Sequence, residues 1–244
     1  MKIAIIGGTG SGQLFATLQG AGPPSRTPFG YPSSDICPVE GAGYRSNLVF
    51  LARHGPDGSI PPHRVNYRAN LWSLKQCQPD LIVGLNAVGG IGREALPSRL
   101  YFPDQLIDYT WGREQTFSDG DIAPLQHIDF TEPFDPPGRQ RLIDCAGELE
   151  LDFRPAGTYG VTQGPRLETA AEIDRMERDG CDIVGMTAMP EAALARELGL
   201  AYAVCAVVVN RAAGRGQSGD GIHAEIPRSI DSGMKQIDRL LRTL

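Results

Sequence analysis

Five short apolar segments bounded by glycine constrain the fold of this 244-residue chain more than any other feature. They cover residues 3–6, 47–52, 81–85, 183–186 and 202–209. Uninterrupted apolar runs of this length are typical of strands that are buried on both faces. The chain is therefore predicted to build its core on a central sheet.

Patterns typical of helices lie between the apolar segments, over residues 65–77, 169–178, 190–198 and 227–241. The third pattern has Pro190 in its first turn and Gly199 after its end, and the fourth has a period close to 3.6 residues. This alternation predicts an α/β fold, with a central mixed sheet flanked by helices in a single domain of residues 1–244. The polar and aromatic stretch 103–134 is expected to hold functional loops.

Composition excludes several classes of protein. The formal net charge is −6 and no block of Lys and Arg occurs, which argues against binding to a nucleic-acid backbone. The five cysteines are odd in number and lack metal-ligand spacing, so we expect reduced thiols, no disulfide framework and no zinc site. The first apolar run is too short for a signal peptide, and no run reaches the roughly 20 residues of a membrane span. We therefore expect a cytoplasmic protein.

Three predicted strand ends carry residues suited to an anion. They are the glycine-rich segment 7–10 with Thr9, the segment 53–55 with Arg53 and His54, and the segment 86–90 with Asn86 and Ala87. In open α/β sheets, ligands collect at the carboxyl ends of the strands. Taken singly, each segment is explained equally well by a tight turn or by a surface Arg–His pair. A dinucleotide fingerprint is excluded because Gln13 stands where its third glycine belongs.

Two later segments, 163–169 and 185–191, also carry functional residue types. Thr187 has the ordinary alternative of a helix N-cap, and Glu168 that of an acid favoured by the helix dipole.

Together these segments resemble the methylthioadenosine phosphorylase branch of the trimeric purine nucleoside phosphorylases. The matching residues, in chain order, are 5–10, 51–55, 65–70, 104–108, 127, 132–134, 163–172 and 185–191. The resemblance implies an α/β sandwich, a homotrimer with its sites at subunit interfaces, inorganic phosphate as co-substrate, and no metal or organic cofactor.

The resemblance also implies the roles of individual residues. Phosphate is expected to contact Thr9, Arg53, His54, Ala87 and Thr187, with Asn86 where adenosine-type enzymes commonly carry threonine. The backbone of Met186 is expected at the ribose hydroxyls, Leu167 at the substrate, and His127 near the 5′ end of the nucleoside of a neighbouring subunit.

The base site departs from the methylthioadenosine branch. That branch carries a Thr-Asp-x-Asp segment, whereas this chain has Asn210 and Ala212 at the two aspartate positions. An amide can donate to a 6-oxo group, which a carboxylate would repel, and Glu168 can accept from the N1–H of a 6-oxopurine. Asn210 and Glu168 are therefore the predicted catalytic pair for a 6-oxopurine nucleoside. The alternative is that Asn210 only caps a turn.

The 5′ pocket is expected at the start of the last helix. Ile222 and Ile226 suit a methylthio group, and His223 stands where enzymes for a 5′-hydroxyl place a histidine, unless it is simply exposed. The preferred substrate is S-methyl-5′-thioinosine, cleaved to hypoxanthine and 5-methylthioribose 1-phosphate in purine and methylthio salvage. The alternatives are inosine or guanosine, methylthioadenosine, hydrolysis without phosphate, and binding of a nucleoside without catalysis.

Overall fold

A computed structural model describes residues 1–15, 24–39, 43–44, 46–119, 124–216 and 222–244; the side chains of residues 13 and 222–225 lie outside the description. The strands of the described chain are β1 (Lys2–Gly7), β2 (Ile36–Pro38), β3 (Asn47–Ala52), β4 (Leu81–Gly90), β5 (Leu100–Tyr101), β6 (Gln105–Asp108), β7 (Phe153–Arg154), β8 (Thr158–Val161), β9 (Ile183–Gly185) and β10 (Tyr202–Arg211). The helices are α1 (Ser11–Leu14), α2 (Tyr67–Gln76), α3 (Pro136–Glu148), α4 (Ala170–Arg178), α5 (Ala188–Glu197) and α6 (Ile222–Thr243), with a 3-10 turn at Pro62–Arg64.

All of these strands belong to one mixed sheet, so the predicted fold class is confirmed. Its main path runs β2-β3-β1-β4-β10-β5-β7, and β9 connects β4 to β8 and β6. The central strands β3, β1, β4 and β10 are parallel, whereas β2, β5 and β9 pair antiparallel with members of that group. Each of the five predicted apolar segments is a strand, and β4 and β10 continue past the predicted ends.

The register of the parallel strands brings three loops together. Gly7 at the end of β1 pairs with Ala52 of β3 and with Leu85 of β4. The residues that follow these three positions therefore emerge at one edge of the sheet, as the sequence predicted. On β10, the register against β4 shifts between Val208 and Asn210, and this bulge changes which residues of the strand end face that edge.

Helices cover both faces of the sheet. Leu71 of α2 and Leu194 of α5 are fully buried with the side chains of one face, including Ile6. Leu142 of α3 and Ile237 of α6 are fully buried with those of the other. Successive strand residues point to opposite faces, so a strand covered on both sides must be apolar throughout, and β10 is buried from Tyr202 to Asn210.

Two helices are absent from the sequence expectation, the short α1 and α3. Asp135 caps the N-terminus of α3 and Pro136 opens it, but no strong apolar period marks the segment. The apolar period of α6 marked only 227–241, and the helix begins at Ile222, where the 5′-pocket segment was expected to start it; Pro227 lies inside the helix and gives up one backbone hydrogen bond. Within the described residues, none of the helices is both long enough and apolar enough to cross a membrane.

The contact between α6 and β10 gives a test of the packing. A Cβ at the buried Gly233 would lie 2.1 Å from Cγ2 of Val207. We expect Gly233→Ala to lower the free energy of unfolding by roughly 1–2 kcal/mol, although alanine favours helix by about 1 kcal/mol. Gly147→Ala is the matched control, because a Cβ at this exposed helical glycine meets nothing within 4 Å. The control should raise stability in denaturant titrations, and an equal rise for Gly233→Ala would contradict the described packing.

Candidate active site

A cavity of about 430 Å³ opens where the central strands end. Most of the predicted site residues line it: Thr9, Arg53, His54, Asn86, Ala87, Leu167, Glu168, Met186, Thr187, Asn210, Ala212 and Ile226. His127 is exposed and is not among the lining residues. Ile222 and His223 were predicted at the 5′ pocket, and their side chains lie outside the described residues. The fold thus brings the predicted phosphate and base residues of one chain into a single cavity.

Arg53 is fully buried and forms a two-pronged ion pair with Glu191. Its Nε donates to Oε2 of Glu191 at 2.8 Å, and its Nη2 donates to Oε1 at 2.7 Å. The Tyr202 hydroxyl donates to the same Oε1 at 2.7 Å. Burial by itself lowers the pKa of Arg53, but Glu191 outweighs it, so the pKa lies above its ordinary value. The positive charge of the guanidinium is therefore balanced by the Glu191 carboxylate.

The remaining donors of Arg53 face the strand ends. Nη1 donates to the carbonyl oxygen of Leu85 at 2.9 Å, and its second N–H has no acceptor among the described residues. A Cβ at position 8 would lie 2.8 Å from both Nη1 and that carbonyl oxygen. Gly8 is therefore glycine because a side chain would displace the guanidinium. Arg53 lines the cavity, so this second N–H is the one from which we expect a ligand to accept a hydrogen bond.

His54 offers an acceptor to the cavity rather than a second donor. Its Nδ1 lies 2.8 Å from the carbonyl oxygen of Ile60, which can only accept, so Nδ1 carries the proton. Burial first, and then the charge of Arg53, lower the pKa of His54. The ring is therefore neutral at neutral pH, and Nε2 keeps its lone pair. A hydrogen phosphate ion, which has one P–OH, is a suitable partner for that lone pair.

Asn86 and Thr187 form a polar wall of the cavity. Nδ2 of Asn86 donates to Oγ1 of Thr187 at 2.7 Å and lies 3.3 Å from the hydroxyl of Tyr159. Thr187 accepts that bond, and its side chain does not cap the helix but interacts with the Tyr159 hydroxyl. It also precedes the N-terminus of α5, where an anion is favoured. Oδ1 of Asn86 is buried without a partner in the described part of the chain.

Glu168 and Asn210 line the same cavity. Glu168 is half-buried, and its Oε1 accepts from the Thr162 hydroxyl at 2.7 Å. Asn210 is 8% exposed, and its Nδ2 donates to the carbonyl oxygen of Arg211 at 2.7 Å. One N–H and the carbonyl oxygen of the Asn210 amide therefore remain for a ligand. Ala212, with its small side chain, lines the wall beside them.

Arg113 joins two segments that border the cavity. Its Nη1 donates to the carbonyl oxygens of Met186 at 2.8 Å and Met189 at 2.6 Å. Its Nη2 donates to those of Thr162 at 3.1 Å and Gln163 at 2.8 Å. Burial lowers the pKa of Arg113. The Met186 carbonyl oxygen therefore already accepts a hydrogen bond from Arg113.

Sequence reasoning gave no role to Glu191, Arg113 or Thr162. Glu191 ends the segment 185–191 that the sequence analysis singled out. An acidic residue at the predicted start of a helix was the signal that could have identified it. Arg113 lies in the stretch expected to hold functional loops. No group of three metal-ligating side chains occurs in the part of the chain that the structure describes.

The buried ion pair gives a stability test that is separate from activity. Arg53→Ala leaves Glu191 buried without its partner and should cost about 3–5 kcal/mol of folding free energy. Arg53→Lys keeps a cation beside Glu191 but loses the Nη1 contacts, so the protein should fold while its apparent KM for phosphate rises at least about tenfold. Thermal unfolding and phosphate titrations measure the two effects.

Arg99→Ala is the control, because Arg99 pairs with the exposed carboxylates of Glu94 and Asp152. It should change stability by no more than about 1 kcal/mol. A phosphate KM that Arg53→Lys leaves unchanged would remove Arg53 from the phosphate site.

The comparisons with known proteins agree with this geometry. The family model described as the phosphorylase superfamily matches residues 2–244. A protein from Xanthomonas campestris named probable S-methyl-5′-thioinosine phosphorylase is 47% identical over 100% of this chain and 97% of its own length. A 6-oxopurine nucleoside phosphorylase from Pyrococcus furiosus is 41% identical over 98% of this chain and 90% of its own.

Among solved structures, methylthioadenosine phosphorylase from Schistosoma mansoni in complex with adenine superposes with a TM-score of 0.90. It is 31% identical, and the match covers 100% of this chain and 90% of that one. Sequence, fold and site therefore agree, and the chain belongs to the phosphorylase superfamily as a nucleoside phosphorylase.

Proposed function

We propose that this enzyme cleaves S-methyl-5′-thioinosine with phosphate, giving hypoxanthine and 5-methylthioribose 1-phosphate for purine and methylthio salvage. The observation that carries the proposal is that Glu168 and Asn210 line the same cavity as Arg53 and Thr187. The named function of the Xanthomonas campestris relative supports the same substrate.

Phosphate is held mainly by directed hydrogen bonds. Because Glu191 neutralises the charge of Arg53, phosphate is attracted mainly by individual hydrogen-bond donors. These donors are the Nη1 N–H of Arg53 and the hydroxyls of Thr9 and Thr187, which line the cavity. Nε2 of neutral His54 accepts a hydrogen bond from the P–OH of hydrogen phosphate. Asn86 orients Thr187, and Ala87 lines the same wall. Such fixed dipoles need little reorganisation when charge moves during the reaction.

The reaction joins a phosphate oxygen to C1′ as the bond from C1′ to N9 breaks. Positive charge grows on the sugar in an oxocarbenium-like transition state, and a phosphate oxygen held below C1′ stabilises it and then bonds to it. The electron pair of the broken bond goes to the purine. Asn210 donates to the base as this negative charge develops, and Glu168 accepts from its N1–H. Overall, hypoxanthine gains one proton and hydrogen phosphate loses one.

The apolar end of the cavity favours a methylthio group at C5′. Ile226 and Ile230, one turn apart on α6, both line it. An apolar wall binds a thioether better than a hydroxyl, because a buried hydroxyl needs a partner. Inosine or guanosine is the second candidate, and the Pyrococcus furiosus relative named for 6-oxopurines favours it. His223 would serve such a 5′-hydroxyl. Methylthioadenosine is disfavoured by Asn210 and Ala212.

A homotrimer in the cytoplasm completes the proposal. His127 is exposed on its own chain, so it would contact the nucleoside only in a neighbouring subunit. Two large apolar side chains are exposed as well, Trp111 at 71% and Leu167, which lines the cavity, at 45%. Exposed apolar surface of this kind is typical of subunit interfaces. The free cysteines suit a reducing compartment, and phosphate is the co-substrate with no further cofactor.

The first test compares base release from methylthioinosine, methylthioadenosine and inosine, each with and without phosphate. We expect phosphate-dependent release of hypoxanthine, fastest from methylthioinosine. Faster release of adenine would overturn the proposed base specificity, and release without phosphate would overturn the proposed use of phosphate.

Asn210→Asp tests the base site directly. A carboxylate accepts from a 6-amino group and repels a 6-oxo group, so the ratio of kcat/KM for methylthioadenosine over methylthioinosine should rise at least about tenfold. Asn47→Asp is the control, because Asn47 is exposed at the opposite end of β3. An unchanged ratio in Asn210→Asp would mean that the amide does not face the base.

A further inference from the structure

We propose that Thr162 is a positioning residue that directs the Glu168 carboxylate at the purine and so sets the preference for a 6-oxopurine. The inference rests on the proposed function, in which Glu168 accepts from the N1–H of the base. Thr162 is not among the residues lining the active-site cavity. It therefore acts through Glu168 rather than by touching substrate.

The backbone fixes where the Thr162 hydroxyl lies. Thr162 directly follows β8, and its N–H donates to the carbonyl oxygen of Gly185 at 2.8 Å. Its own carbonyl oxygen accepts from Arg113 at 3.1 Å. The side chain is β-branched and only 9% exposed, so few rotamers are open to it. Oγ1 is therefore held at a nearly constant position behind Glu168.

The single hydroxyl proton has two acceptors within reach. Glu168 Oε1 lies 2.7 Å from Oγ1, and the Gly185 carbonyl oxygen lies 3.4 Å from it. The shorter contact to a carboxylate is the stronger hydrogen bond. The proton therefore goes to Glu168, which occupies Oε1 and leaves Oε2 as the oxygen for a ligand.

This bond matters because Glu168 is otherwise weakly constrained. It lies in the loop that precedes α4, it is half-buried, and no other hydrogen bond to its carboxylate occurs among the described residues. A glutamate side chain loses substantial rotamer entropy when it is ordered. Thr162 orders the Glu168 side chain before substrate binds. Binding of a base with an N1–H is therefore not weakened by the loss of that rotamer entropy. A 6-aminopurine has a lone pair at N1, which the oriented carboxylate repels.

The chain contains a matched pair outside the site. The Thr116 hydroxyl donates to Oε1 of Glu197 at 2.6 Å, near the end of α5, and neither residue lines the cavity. Thr116→Val therefore removes the same kind of hydrogen bond to a glutamate, together with the bond that the Thr116 hydroxyl accepts from the Ser118 N–H. It separates an effect on folding from an effect on Glu168.

The experiment compares Thr162→Val, Thr162→Ser and Thr116→Val. For each variant, kcat and KM are measured with methylthioinosine, together with inhibition by hypoxanthine and by unsubstituted purine, which lacks the N1–H and the 6-oxo group. We expect Thr162→Val to raise KM for methylthioinosine and to weaken inhibition by hypoxanthine, each about tenfold. The change in kcat should be smaller, and inhibition by purine should change little. Thr162→Ser, which keeps the hydroxyl, should restore both values, and Thr116→Val should leave them unchanged.

Failure of the inference differs from failure of the proposed function. If the wild-type protein releases no hypoxanthine with phosphate, the proposed function is wrong. If the wild-type protein is active but Thr162→Val has the wild-type ratio of inhibition by hypoxanthine to inhibition by purine, the positioning role is wrong. It is also wrong if Thr162→Ser does not restore the wild-type ratio. Should Thr162→Val not fold, Thr162→Ala replaces it with the same expected ratio. A double variant with Glu168→Gln should show non-additive effects, and additive ones would contradict the proposal.

Discussion

The ion pair between Arg53 and Glu191 is the contact on which the rest of the site depends. Both side chains are fully buried, and they join the end of β3 to α5, 138 residues apart in the chain. A buried charge that lost its partner would be strongly destabilising, so each residue fixes the other. The pair places one guanidinium N–H at the strand ends and cancels its charge. We therefore expect the site to bind phosphate through geometry more than through net charge.

The fold was largely predictable because its central strands are buried on both faces. Such strands must be apolar along their whole length, and this leaves a signal in the sequence that polar loops do not obscure. Ligand-binding residues collect where parallel strands end, so the sequence alone was enough to group Thr9, Arg53 and Asn86 at one edge of the sheet. The start of α6 and the whole of α3 lacked an equally strong signal.

The partners of the site residues could not be predicted in the same way. Glu191 and Arg113 contact groups far away in sequence, and Thr162 contacts Glu168 six residues along the chain; nothing in their local pattern shows which atoms they meet. His54 shows the same limit, because only the position of the Ile60 carbonyl reveals that Nδ1 is engaged. Residue type and strand position indicated which side chains enter the site, and long-range packing determined what each can offer there.

The most direct test of the proposed site is a crystal structure of the protein with hypoxanthine and phosphate bound together. We predict phosphate oxygens within hydrogen-bond distance of Nη1 of Arg53 and Oγ1 of Thr187, and N1 of hypoxanthine beside Oε2 of Glu168. A base turned so that N1 faces away from Glu168, or a phosphate seated away from the ends of β1, β3 and β4, would contradict this assignment.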